Sequence, residues 1–162
     1  MSLFQPLTNR QANIALTVLR VLAGVTFMAH GAQKLFVYGF AGVAGSFAQM
    51  GIPAAGVMGP FIALLEFFGG LALIVGLLTR LAALGLALDM LGAIVFVHFQ
   101  NGFFAPKGYE FVLALFTMAV ALMFMGAGEF SLDGLIGRRK GLVPATALPL
   151  PNSEPARNRS AA

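Results

Sequence analysis

Four long apolar runs, from about Asn13 to Phe36, Val57 to Leu78, Leu81 to Phe99 and Tyr109 to Met125, occupy most of the chain before its polar end. A bilayer core about 30 Å thick needs about 20 apolar residues per crossing, and every backbone amide within it must be satisfied inside the segment. The sequence therefore predicts an all-α membrane protein, a bundle of four transmembrane helices. Charged residues make up only 10% of the chain, against about 25% in soluble domains. The first run contains Arg20 and continues through Leu35 and Phe36, too long for a signal-peptide core, so it reads as a retained span.

The connections refine this picture. Thr79-Arg80 reads as the whole link between the second and third spans, which makes them antiparallel neighbours. Residues 37–56 are too short to cross, but Phe40, Val43, Phe47 and Met50 recur at helical spacing. A short interfacial helix is predicted there, ended by Gly51-Ile52-Pro53. "NGFFAPKGYE" sets Phe103, Phe104 and Tyr109 beside Lys107, an aromatic belt. Residues 1–135 thus form one four-helix domain, with a short surface helix expected within "FSLDGLIGRRK"; residues 136–162 form a basic, Pro-rich tail whose composition predicts disorder.

Arg10, Arg20, Arg80, Arg138, Arg139 and Lys140 gather on one side, Lys34 and Lys107 on the other. The positive-inside bias places both termini in the cytoplasm. Topology accounts for the net charge of +4, so no nucleic-acid partner is expected; the bilayer is the partner. The absence of cysteine removes disulfides, thiol redox chemistry, iron–sulfur ligation and covalent haem attachment.

Ionisable residues inside the spans are the candidate functional groups. Arg20, Gly24, Phe27, Gly31 and Lys34 follow one face of the first helix, with His30 beside them. Glu66 lies near the middle of the second span and Asp89 in the cytoplasmic half of the third. At about 1.5 Å per residue, His30 sits roughly 9 Å below the outer boundary, Lys34 roughly 3 Å and Glu66 roughly 14 Å. His30 and Glu66 are therefore expected to meet, and Arg20 with Asp89 to form a structural ion pair. Gly24, Gly31, Gly69, Gly70, Gly85 and Gly92 are expected to let helices approach closely. His98, nine residues after Asp89, points to the opposite face of an ideal helix and joins the outer cluster only if the span rotates or frays. Glu110 starts the fourth span, where the helix dipole favours a carboxylate. No metal site and no set of catalytic residues is legible.

Taken in order, Arg20 early in the first run, "HGAQKL" at its end, "GIP", "EFFGG", "GLLTR", "HFQNGFF" and "GAGEFSLD" resemble the DoxX family of small four-helix bacterial membrane proteins, over about residues 13–135. The resemblance marks Arg20, His30, Gly31, Lys34, Glu66, Gly69, Gly70, Arg80, His98 and Glu110 as the family's characteristic positions. It implies the bacterial inner membrane, and a tie to thiosulfate:quinone oxidoreductase, quinol oxidase or oxidative-stress complexes. With no cysteine to hold a sulfane sulfur, thiosulfate oxidation by this chain alone is not expected. The reading that follows is a quinone-interacting or redox-complex membrane subunit, with redox-enzyme subunits as partners and no covalently bound cofactor. In that reading His30 and Glu66 hydrogen-bond or exchange protons with the quinone oxygens and Lys34 tunes the field. The alternatives are a non-catalytic scaffold that recruits redox or stress-response partners, a small-solute or proton pathway, and haem ligation by His30 and His98.

Overall fold

The computed structural model describes residues 7–104 and 106–140. Thr8 opens the first helix: its hydroxyl accepts from the Gln11 amide, and the Gln11 side chain accepts from the Thr8 amide, a reciprocal cap that satisfies two otherwise orphaned donors. Helix α1 (Asn9–Ala32) runs without interruption into a π-helical turn (Gln33–Tyr38) and breaks at Gly39, whose φ is +65°. The chain then continues as α2 (Gly39–Gln49), α3 (Ala55–Val75), α4 (Thr79–Ala93), a second π-helical turn (Ile94–His98), α5 (Glu110–Met125) and α6 (Leu132–Arg139). Of the polar tail, residues 141–162 lie outside the described residues.

Among the described residues three helical stretches are long and apolar enough to cross a membrane, and α5 is a shorter apolar helix. Large apolar side chains such as Leu22, Phe61, Phe68, Leu71, Leu88 and Leu91 face outward, as a helix surrounded by hydrocarbon requires. The interior is small and tight: Ala23, Phe27, Leu73, Leu86, Ala119 and Leu122 are almost fully buried in one cluster.

Helices α1 and α3 touch backbone to backbone. A Cβ placed on Gly24 would lie 2.7 Å from the Gly70 carbonyl oxygen, one on Gly31 2.3 Å from the Phe67 amide nitrogen, and one on Gly70 2.4 Å from the Met28 amide nitrogen. Without a hydrophobic driving force between helices in lipid, such contact supplies the dispersion energy that holds them. Helix α4 packs on α5 through Ala83, Leu86, Ala87, Leu115 and Ala119. Between the two pairs contact is made by side chains, Leu86 against Gly69 and Leu65 against Gly85.

The α3–α4 link differs from its sequence reading. Gly76, at φ +71°, and Leu78, at +49°, make the turn, while Thr79 and Arg80 already belong to α4. The Leu78 and Thr79 amides donate to Asp133 Oδ1 and Oδ2 at 2.8 and 2.9 Å, and the Asp133 amide donates back to the Gly76 carbonyl. A residue more than 50 positions away thus supplies the N-terminal cap that α4 lacks locally.

Candidate functional site

Two polar clusters stand in the bundle. At the hairpin end Arg20 is 2% exposed, and its Nη2 donates to the Phe130 carbonyl at 2.8 Å. Its guanidinium occupies the space beside Gly76, where a Cβ would come within 1.5 Å of Nη1, at the carbonyl end of α3, which attracts a cation. The expected Arg20–Asp89 pair does not form. Helical side chains lean toward their own N-terminus, so the long Arg20 stem reaches back to the hairpin end, away from Asp89.

Asp89 belongs to the second cluster. Glu66 lies eleven residues before Leu77 and Asp89 eleven residues after Leu78, so the antiparallel hairpin brings the two carboxyl groups to one level. Asp89 stands close enough to Glu66 for the two carboxyl groups to interact, and among the described residues no N–H or O–H reaches its buried Oδ2. Lys34 completes the group: its Nζ donates to Glu66 Oε2 in a direct ion pair. Glu66 itself is 4% exposed.

The partner expected for Glu66 was His30. Among the described residues no hydrogen bond joins them, and the His30 ring lies 6.2 Å from that of Phe111 on α5. Register explains the exchange. Because Gly31 sits directly on Phe67, Lys34 lies about 3 Å to one side of Glu66 along the bundle axis and His30 about 3 Å to the other; side chains lean toward their own helix's N-terminus, so the Lys34 stem leans toward Glu66 and His30 leans away.

These groups line one cavity of about 730 Å³, bounded by all four long helices. Lys34, Glu66 and Asp89 form its polar floor; Phe27, Met58, Ile62, Met90, Val112 and Leu115 are among its apolar walls. His30 and His98 line it as well. His98 arrives there through the π-turn Ile94–His98, because each residue of a π-turn rotates the side chain less than an α-helical residue does. Its Nδ1 lies 2.8 Å from the Lys107 carbonyl, an acceptor, so Nδ1 carries the hydrogen. Glu110 starts α5 and is not part of the cavity wall. Gly92 lines the cavity too, but a Cβ there would meet nothing within 4 Å. It is therefore not a helix-packing glycine: the space beside it belongs to the cavity.

The chain matches the DoxX family over residues 15–99. It belongs to that family. The DoxX match takes in Arg20, His30, Lys34, Glu66, Asp89 and His98, which includes every ionisable group on the cavity wall. An uncharacterized membrane protein of Mycobacterium tuberculosis is 33% identical over 132 residues, 75% of this chain and 80% of its own length. A protein of Bacillus subtilis named "putative oxidoreductase CatD" is 31% identical over 85% of this chain and 99% of its own. The inner membrane protein YqjF of Escherichia coli is 32% identical over 78% and 95%. No solved structure matches the chain. This DoxX chain is accordingly a multi-pass membrane protein.

Proposed function

We propose that the chain is a bacterial inner-membrane subunit that binds a quinone-type molecule in the cavity between its four helices. The observation that carries this reading is the gathering of Lys34, Glu66 and Asp89 on the wall of a mostly apolar cavity of about 730 Å³. Ligand sites have this form: a mostly hydrophobic chamber of about 300–1,000 Å³ with few polar groups that fix orientation. A quinone ring is apolar on its faces and presents carbonyl oxygens at its edge. The Lys34 ammonium donates to such an oxygen, and the two carboxyl groups accept from a quinol hydroxyl. His30 and His98 also line the cavity, and an imidazole offers both a donor and an acceptor nitrogen.

With no cysteine in the chain, this subunit holds and protonates the quinone while electrons come from a partner enzyme. The name of the Bacillus subtilis relative, a putative oxidoreductase, is in keeping with such a role, and that of YqjF with the inner membrane. Both termini are assigned to the cytoplasm, because Arg80, Arg138, Arg139 and Lys140 cluster at the hairpin end.

Calorimetric titration of a short-tailed benzoquinone into the purified protein tests the reading. Wild type is expected to bind at one site, and Glu66→Gln together with His30→Ala to weaken binding by about tenfold or more, roughly 1.4 kcal/mol. No heat of binding to wild type, or unchanged affinity in the double variant, would overturn it.

A further inference from the structure

Beside α4 the cavity is incompletely covered by protein. Gly85, Asp89 and Gly92 recur every three or four residues on α4 and all line the cavity, so they form one stripe of that helix, continued by Phe96 of the following π-turn. At Gly85 the space a side chain would take is filled by Leu65, at 3.0 Å from the position of a Cβ. At Gly92, one turn beyond Asp89 and about 4.5 Å farther along the axis, nothing fills it. On this side the rim consists of Phe61 from α3, Leu88 from α4 and Phe96 from the following π-turn, which are 53%, 61% and 43% exposed while also lining the cavity; Met50 and Phe111, 44% and 51% exposed, line it elsewhere. Side chains that belong both to an inner wall and to a lipid-facing surface mark an opening. This rim is wholly apolar and lies beside a hydrocarbon phase.

We propose that the ligand enters from the bilayer between α3 and α4, and that Gly92 keeps this gap open for its apolar tail. The inference rests on the ligand-binding reading above and adds a route and a substrate class to it: a lipid-soluble molecule whose polar head reaches Lys34, Glu66 and Asp89 while its chain lies across Gly92. Small substituents at this position cost nothing in packing, since no neighbour is displaced. A large one narrows the gap about one turn beyond Asp89.

The test compares two probes with the same dimethoxy-methyl-benzoquinone head, one tail-less and one carrying a decyl chain, on wild type, Gly92→Phe and the smaller Gly92→Leu in lipid nanodiscs. Thermal unfolding checks that each variant is folded. Wild type is expected to bind the tailed probe more tightly. Gly92→Phe is expected to lose about tenfold or more for the tailed probe and stay within about twofold of wild type for the tail-less one, with Gly92→Leu intermediate. Equal losses for both probes, or no loss for either, would overturn the tail path, as would equal wild-type affinity for the two. Failure of wild type to bind either probe would instead remove the ligand reading, and the tail path with it.

Discussion

Lys34 and Glu66 present a charge pair in a place where water is scarce, and the energetics of such pairs are asymmetric. Removing one partner strands the other, at a cost of about 3 kcal/mol, whereas replacing both with apolar or neutral groups of similar size is close to neutral. Glu66→Ala alone is therefore expected to lower the melting temperature of the detergent-solubilised protein well below that of a Lys34→Met, Glu66→Gln double variant. Equal melting temperatures would mean that the pair contributes nothing to folding. At this scale the residue types were legible and the pairing was not. Depth counted from assumed membrane boundaries matched His30 with Glu66 and Arg20 with Asp89. Depth counted outward from the Leu77-Leu78 turn puts Asp89 level with Glu66, and that signal was present in the sequence. The other deciding fact, the seating of Gly31 on Phe67, depends on three-dimensional register and could not be counted out.

Among the helices, two glycines that look alike in sequence behave oppositely. Gly70 sits where a Cβ would strike the Met28 backbone, and Gly92 where it would strike nothing. Gly70→Ala is expected to destabilise by about 1–3 kcal/mol through overpacking; Gly92→Ala is expected to be neutral or to stabilise by up to about 1 kcal/mol, because alanine is the better helix former. Urea or thermal unfolding in micelles separates the two, and a destabilising Gly92→Ala would contradict the open gap. Helix positions themselves were read well from apolar length, since the structure differs from the predicted spans by only a few residues at their ends. The two π-turns were not read, although both lie at the cavity: one carries Lys34, and the other brings His98 onto the wall. A one-residue change in hydrogen-bond spacing leaves no trace in an apolar pattern. Nor did local sequence disclose that Asp133 caps α4, because a cap delivered from so far along the chain has no spacing to recognise.

As a whole the molecule is a hairpin of α3 and α4 clamped at one end by Arg20, Asp133 and α6, and bordering a chamber toward the other. The basic residues gather at the clamped end, and the unfilled space beside Gly92 lies toward the other. With no native cysteine, orientation is measured directly by single-cysteine labelling. In spheroplasts a membrane-impermeant maleimide is expected to label Asn101→Cys, and to label Lys140→Cys only after the membrane is broken; the reverse pattern would invert the assigned topology. The chamber and its polar floor remain the central claim, and photo-cross-linking with an azido-benzoquinone, followed by peptide mapping, tests it most directly. Adducts are predicted on cavity-lining residues such as Phe27, Met58 and Met90, suppressed by excess unlabelled quinone. Adducts confined to outward-facing residues such as Leu22 or Phe68, or labelling that excess quinone leaves unchanged, would contradict it.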